Sequence, residues 1–304
     1  MGFQNLVWMS FMMILCISLY VNCIDIAEKR IVAQRPNDFI ERNGTHFFLN
    51  GKPHYFNGFN AYWLMTFAAD PSTSSKVTTA FEQASQHGLN LARTMAFNDG
   101  GYRALQISPG VYNENVFRDW VSEMAAYVKS IDNKHLLQVG LEGFYGNSMP
   151  ERGLINPDGY HVGTDFISNN LVPEIDYASI HAYPDEWMAR FNQSHQDVFT
   201  ERWVSTHIQD AQNVLRKPIL VTEFGLNAAF RGFTNAIRDR LYAKFYKWVY
   251  GSASQRGPCA GAAFWQLFFE GMENMADGYD IIFQRNPSIV KIIAQQSLRM
   301  SRIL

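Results

Sequence analysis

Short apolar runs of strand length alternate along the chain with longer amphipathic stretches of helix length. The strand-like runs are 55–60, 89–97, 135–141, 177–182, 219–224 and 260–267. The helical patterns are 76–86, 115–130, 198–214 and 234–250, and a last helix is predicted after Pro287, where proline suits a first helical turn. Strands that alternate with helices predict parallel strands joined by crossovers, hence an α/β fold with both faces covered.

Each predicted strand ends in side chains that can bind a ligand or take part in catalysis. These residues are Asn60, Asn98 and Asp99, Glu142, His181 to Asp185, Glu223, and Trp265 with Gln266. In α/β folds the ligand site gathers at the carboxyl ends of the strands. The pattern therefore predicts a single active-site rim.

Glu223 is the carboxylate best placed for catalysis, because it ends an apolar strand and would face a partly desolvated cleft. From position alone, a glutamate that only caps a loop fits equally well. Arg93 lies inside another apolar run, where a guanidinium needs a carboxylate partner. We therefore expect an ion pair between Arg93 and Glu223.

Composition narrows the function classes. The 304 residues are 47% apolar and carry a formal charge of −2, so the chain can build one large core and gives no electrostatic support for nucleic acid or an anionic membrane as partner. Aromatic residues reach 14%, and stacking on sugar rings is one use for them. No cysteine or histidine spacing resembles a zinc site, so neither a metal nor another cofactor is predicted.

The N-terminus is predicted to be a targeting segment. Residues 6–20 are almost entirely apolar but shorter than the roughly 20 residues of a membrane span, and a small-residue cleavage site precedes residue 24. Because residues 1–5 carry no Lys or Arg, a signal anchor or an ordinary apolar helix stays open. We expect a signal peptide at 1–23, one domain at 24–304 and secretion, which the sequons at Asn43 and Asn192 fit. Cys259 would then be alone in the mature chain.

Several motifs occur in an order that resembles glycoside hydrolase family 5. They are Leu91-Ala92-Arg93-Thr94, Ile180-His181-Ala182-Tyr183-Pro184, Thr222-Glu223-Phe224-Gly225 and Phe264-Trp265-Gln266-Leu267. Within that family the plant endo-β-1,4-mannanases are the nearer match, through residues 57–65, 97–106 and 140–146. The resemblance runs from about Asn43 to the C-terminus. It implies a (β/α)8 TIM-barrel fold and a secreted, cell-wall enzyme that acts on a mannan-type polysaccharide.

The resemblance also implies roles for single residues. Glu223 matches the nucleophile of a retaining mechanism, and Arg93 matches the arginine that supports it. His181 and Tyr183 match the pair around the nucleophile and the −1 sugar, and Trp265 matches the floor under that sugar. Read without the family, His181 could be a core histidine and Trp265 a barrel-wall aromatic. The implied reaction is endo-hydrolysis of β-1,4-mannosidic linkages in mannans, galactomannans and glucomannans.

The chain departs from the family pattern at the acid/base. The family uses the glutamate of an Asn-Glu-Pro segment at the end of strand four, and that segment is absent from this sequence. About six of eight βα units are recognisable, with a junction near Arg118-Asp119. An incomplete barrel, low stability and reduced activity are therefore expected. Alternatives are a catalytically inactive mannan-binding or regulatory remnant and an unstable product without function.

Two further positions follow from this comparison. Met95 stands where the family usually has tryptophan, so one substrate subsite is expected to stack less well. Glu142 is the carboxylate best positioned to replace the lost acid. The resemblance, however, implies that relatives keep this glutamate beside their own acid/base.

Overall fold

The computed structural model describes residues 39–64, 67, 72–94, 106–108, 111–112, 121–122, 125–126, 128–159 and 163–303. The predicted signal peptide, Met95 and the junction at 118–119 lie outside these residues.

An antiparallel sheet of three short strands opens the described chain. Its strands are β1 (Glu41–Asn43), β2 (His46–Leu49) and β3 (Lys52–His54). The turn between β2 and β3 is Asn50-Gly51, and both residues have positive φ angles, 53° and 74°. This is the backbone that a two-residue Asn-Gly hairpin turn requires.

The central sheet is parallel. It contains β4 (Phe56–Asn60) and β5 (Leu91–Arg93), and, after the short antiparallel pair β6 (Gln106–Ser108) and β7 (Val111–Tyr112), the strands β8 (Ala178–Ala182), β9 (Ile219–Phe224) and β10 (Cys259–Phe264). The spatial order is β5-β4-β10-β9-β8. A separate parallel pair, β11 (Leu267–Phe268) and β12 (Ile281–Ile282), follows β10.

The helices of the described chain are α1 (Ser74–Gln86), α2 (Phe166–Asn170), α3 (Pro184–Trp187), α4 (Gln193–Asp210), α5 (Asn235–Ser254) and α6 (Pro287–Met300). Helix α4 continues into a π-helical turn at Ala211–Leu215. The Thr234 hydroxyl caps α5 by accepting the Ile237 N–H. Helix α5 packs against β10 and α6, and α6 packs against β4. None of the helices in the described ranges is both long and apolar enough to cross a membrane.

Five of the six predicted strands are present, and the prediction for 135–141 is wrong. This segment runs beside β8 but is not paired as a strand. The Asp176 N–H donates to the Leu137 carbonyl (2.8 Å) and the His181 N–H to the Glu142 carbonyl (2.9 Å). Within the described residues nothing flanks its other side as a strand. A central barrel strand is held by ladders on both sides, and here only one side is available.

The predicted helix at 115–130 is described only in part. Val121 and Ala125 are buried and pack on Val172 and Ile175, as an apolar face requires. Val128, three residues after Ala125 and hence at helical spacing from it, is 38% exposed. The apolar face is therefore shorter than its sequence pattern indicates.

The parallel sheet is an open arc that ends at β5 and β8, so the prediction of an incomplete α/β barrel is confirmed. The core lies inside and behind this arc, and its largest fully buried side chains are aromatic, among them Trp63, Trp203, Tyr242 and Phe264. Burial of such large aromatic surfaces supplies most of the driving force available to a sheet that does not close.

Candidate active site

The carboxyl ends of the five strands of the central sheet bring the predicted site residues together. In the strand register Asn60 of β4 lies beside Arg93 of β5, and His181 of β8 lies beside Glu223 of β9. The site is therefore built by parallel pairing, which aligns strand ends at one edge of the sheet.

Both carboxylate oxygens of Glu223 are held. Oε1 accepts a hydrogen bond from Nη1 of Arg93, and Oε2 accepts one from the Tyr183 hydroxyl at 2.7 Å. Glu223 is only 8% exposed, so its charge is compensated in the way a buried carboxylate requires. The ion pair expected from the sequence is present, and Tyr183 joins it.

Asn60 joins three strands beneath this pair. Its Oδ1 accepts from Nη1 of Arg93 at 2.8 Å, and its Nδ2 donates towards the carbonyl oxygens of Thr222 (2.8 Å) and Phe264 (3.1 Å). Asn60 is fully buried. The sequence placed Asn60 on the rim but gave no sign that it orients the arginine.

His181 is neutral near neutral pH. Burial lowers its pKa to about 4, against the opposing effect of the negative charge of Glu223. Its Nε2 lies 3.3 Å from Oε1 of Glu223 but without the geometry of a hydrogen bond, so the contact is one of proximity only. Burial and the charge of Glu223 raise the pKa of Tyr183 well above its usual range, which keeps its hydroxyl a donor.

Trp265 follows β10 and is fixed on several sides. Its Nε1 donates to Oδ2 of Asp277 at 2.7 Å, and its backbone N–H donates to the Phe224 carbonyl at 2.9 Å. Its ring stacks on Tyr62 with centroids 6.3 Å apart and planes 14° apart. The indole is therefore oriented by contacts that come from three different parts of the chain.

Gly225, directly after β9, is required by close packing. A Cβ at this position would lie 2.8 Å from the Trp265 carbonyl oxygen and 2.8 Å from the Tyr279 ring. Any side chain here would push these neighbours out of the site.

An acidic group lies behind Tyr183. The Tyr279 hydroxyl lies 3.0 Å from Oδ2 of Asp185 and 2.7 Å from Oε1 of Glu186, and its ring packs edge-on against Tyr183 at 5.3 Å. Oδ2 of Asp185 also accepts the Asn227 N–H at 2.8 Å, and burial raises the pKa of Asp185. Sequence reasoning missed Tyr279 and Asp277. Their only sequence signal is the Asp-Gly-Tyr turn shortly after Trp265.

Glu142 ends the 135–141 segment and faces the same cleft. Its carbonyl accepts the His181 N–H, which places it next to β8. More than a third of its surface is exposed, yet the cleft walls and the charges of Glu223 and Glu186 raise its pKa to about 7. Water at the exposed part of the side chain screens some of this effect.

No group of three metal-ligating side chains occurs in the described ranges. Cys259 is a buried free thiol at the start of β10, and burial raises its pKa to about 12. A thiol in that environment is unreactive at physiological pH.

The comparisons with known proteins identify the family of the chain. The model of the family described as GH family 5 beta-mannosidase-like matches residues 37–119 and 113–287. This match and the curated relatives place the chain in the class of glycoside hydrolases, and the open arc of parallel strands fits the barrel-type fold of that class. Within that class, the chain belongs to glycoside hydrolase family 5, on its β-mannosidase-like branch.

Among curated proteins, mannan endo-1,4-beta-mannosidase 7 of Arabidopsis thaliana is 38% identical over 371 positions, covering 87% of this chain and 86% of the relative. Mannan endo-1,4-beta-mannosidase 5 of Solanum lycopersicum is 36% identical, covering 99% and 98%. The crystal structure of an endo-1,4-beta-mannanase from Rhizomucor miehei superposes with a TM-score of 0.65 at 21% identity, covering 87% of this chain and 99% of that one. At 21% identity the structural match supports the fold and nothing further.

The alignments also mark a gap in this chain. Since 87% of 304 residues is about 264, roughly 107 of the 371 aligned positions have no residue here. The two stretches that match the family model meet at residues 113–119, which includes the junction predicted from the sequence. The chain with the open arc is thus also shorter than this relative. The missing positions exceed the roughly 60 residues that two βα units occupy in a barrel of about 250 residues.

Proposed function

We propose that this chain hydrolyses internal β-1,4-mannosidic linkages in mannans, galactomannans and glucomannans, with retention of configuration and with Glu223 as nucleophile. The observation that carries the proposal is the held carboxylate. Arg93 and Tyr183 bind one oxygen each of Glu223 at the carboxyl end of β9. A nucleophile that must approach one carbon atom benefits from such fixed orientation.

In the first step an oxygen of Glu223 attacks the anomeric carbon of the sugar, and a glycosyl ester forms as the glycosidic bond breaks. Arg93 compensates the carboxylate before attack, and the Tyr183 hydroxyl keeps its second oxygen aligned. His181 stays uncharged beside them, which spares the site a competing cation. Trp265 offers an apolar face for the −1 sugar. Met95, outside the described residues, stays a predicted subsite residue with weaker stacking than tryptophan.

The cellular setting is part of the proposal. Cleavage of a signal peptide at 1–23 would release a single domain at 24–304 into the extracellular space and the cell wall, with no stable membrane insertion. Asn43 and Asn192 are both exposed, which supports N-glycosylation at either sequon. The partner is a neutral polysaccharide, and no nucleic acid is involved.

The test is hydrolysis of galactomannan and mannohexaose by purified protein, followed as new reducing ends. Glu223→Ala should lose activity on both substrates, whereas Glu201→Gln, an exposed carboxylate on α4, should match the wild type. Proton NMR of the first products should show the β-anomer. Equal rates for the wild type and Glu223→Ala would end the enzyme assignment.

A second candidate, a mannan-binding remnant without catalysis, is favoured by one observation: the Asn-Glu-Pro segment is absent from the sequence. Retention on immobilised mannan that is lost in Trp265→Ala, together with no hydrolysis by wild type, would support this candidate over the first.

A further inference from the structure

Hydrolysis with retention needs a second carboxyl group that gives a proton to the leaving oxygen and later takes one from water. Most acidic side chains at the described rim are already engaged. Asp185 and Glu186 contact Tyr279, Asp277 binds Trp265, and Glu270 pairs with Arg285 at 3.2 Å. Asp99 lies outside the described residues.

Glu142 differs from these groups, because no hydrogen bond or ion pair to its carboxylate is found in the part of the chain that the structure describes. The side chain is exposed at the cleft. It is thus available to a substrate, whereas the engaged carboxylates would first have to leave a partner.

The position of Glu142 suits a role opposite Glu223. Its backbone bonds to His181, and His181 lies beside Glu223 in the sheet register. Glu142 is therefore two strand positions from the nucleophile, about 10 Å at the usual spacing between strands. A retaining mechanism needs its two carboxyl groups about 5–5.5 Å apart, so both side chains must extend towards each other across the cleft. The charge of Glu223 acts on the Glu142 carboxylate, as expected for two groups that share one cleft.

The charges around Glu142 suit proton donation. Glu223 and Glu186 act on it from two sides, and with the cleft walls they raise its pKa to about 7. A carboxyl group with that pKa keeps its proton at weakly acidic pH, where a general acid must hold one. Glu223, by contrast, forms an ion pair with Arg93. The two glutamates therefore differ in their neighbours: a cation lies beside Glu223, and carboxylates lie near Glu142.

Accordingly, and resting on the proposed function, we propose that Glu142 is the general acid/base of this chain, replacing the carboxylate of the absent Asn-Glu-Pro segment. In glycosylation, Glu142 gives its proton to the glycosidic oxygen as the bond to the anomeric carbon breaks and Glu223 forms the ester. In the second step the Glu142 carboxylate takes a proton from water. The hydroxide attacks the anomeric carbon, and Glu223 leaves as a free carboxylate. The net change is addition of one water across one glycosidic bond.

The test compares two substrates that differ in their need for an acid. Mannohexaose has a poor leaving group and needs protonation, whereas 2,4-dinitrophenyl β-mannobioside has a leaving group that departs without it. In Glu142→Gln we expect a loss of roughly 10²–10⁴-fold in kcat/KM on mannohexaose and little loss on the aryl substrate. Added azide, which needs no general base, should accelerate the variant and yield β-mannobiosyl azide.

The pH profile gives a further readout that a structural role would not move. The basic limb of kcat/KM on mannohexaose, expected near pH 7, should be missing in Glu142→Gln. Glu201→Gln serves as the matched control for removal of an exposed carboxylate, and thermal melting shows whether each variant folds.

The outcomes separate the two proposals. If the wild type cleaves mannohexaose and Glu142→Gln cleaves it equally well, or if a folded variant loses both substrates equally without azide rescue, the role of Glu142 is refuted and the proposed function stands. A wild type that cleaves neither substrate refutes the proposed function, and the role of Glu142 with it.

Discussion

We expect Asp277 to affect the affinity of the chain for mannan, although it does not contact Glu223. Its Oδ2 accepts from Nε1 of Trp265 at 2.7 Å and from Nε2 of Gln266 at 2.9 Å, and its Oδ1 accepts the Tyr279 N–H at 3.0 Å. Asp277→Ala removes both acceptor oxygens and with them all three hydrogen bonds. We expect the Trp265 indole to lose its fixed orientation while its backbone stays in place through the bond to Phe224.

The magnitude follows from the strength of these bonds. A hydrogen bond to a charged group contributes about 1.5–3 kcal/mol, and the exposure of Asp277 places the Trp265 bond at the lower end. About 1.5 kcal/mol corresponds to roughly a tenfold increase in Kd for mannohexaose. Gln266 is fully buried, so losing its acceptor should also lower stability by about 1–3 kcal/mol.

The assay is a titration of intrinsic tryptophan fluorescence with mannohexaose, which needs no turnover. Asp277→Asn keeps one of the two carboxylate oxygens and should show an intermediate Kd, whereas Asp280→Ala, nearby on the same loop, should bind like the wild type. A folded Asp277→Ala that binds with unchanged Kd would refute the reasoning, as would equal weakening in Asp280→Ala.

Three further outcomes are expected. Tyr183→Phe removes one bond of about 1.5–3 kcal/mol from Glu223 and should lower kcat on mannohexaose about 10–150-fold. A loss in melting temperature without a loss in kcat would contradict this. Burial lowers the pKa of His181 and His207 from 6.5 to about 4, so the unfolded chain binds more protons between these values. Stability is therefore full above pH 6.5 and should fall, as the pH drops to 4, by up to about 3 kcal/mol for each histidine. Glu142, whose pKa is raised to about 7, changes stability in the opposite direction over this window. Urea midpoints should therefore fall less steeply with decreasing pH in His207→Gln than in the wild type, and an unchanged slope would be inconsistent. Finally, the open arc should melt below about 45 °C and aggregate on size-exclusion chromatography, and cooperative melting at an ordinary temperature would overturn that expectation.

The fold class could be predicted from the sequence, because the patterns that indicate strands and helices are local. Strands β4, β8, β9 and β10 lie where short apolar runs predict them, and the last helix begins at Pro287 as predicted. The segment 135–141 shows why pattern alone fails. It is apolar enough for a buried strand, but a strand also needs partners, and the partners on one side would come from a part of the barrel that this chain lacks.

The site shows the same division between local and distant information. Glu223 and Arg93 could be paired from the sequence because an arginine in an apolar strand demands a carboxylate. The bond from Asn60 to Arg93 and that from Asp277 to Trp265 could not be foreseen, since a side-chain hydrogen bond leaves no periodic trace in the sequence. The position of Glu142 could be predicted, but its burial and its neighbours Glu223 and Glu186, which together raise its pKa, are known only from the structure.

The contacts of Glu223 with Arg93 and Tyr183 are retained because the barrel is open elsewhere. Glu223 lies on β9, which keeps β8 and β10 as neighbours, and Arg93 lies on β5, which keeps β4. The opening falls between β5 and the 135–141 segment, on the wall that the acid/base of the family would occupy. The Asn-Glu-Pro segment is absent from the sequence, whereas the contacts of Glu223 with Arg93 and Tyr183 are present. Glu142 follows the 135–141 segment and so lies at the border of that opening. It is the carboxylate that we propose as the source of the remaining acid catalysis.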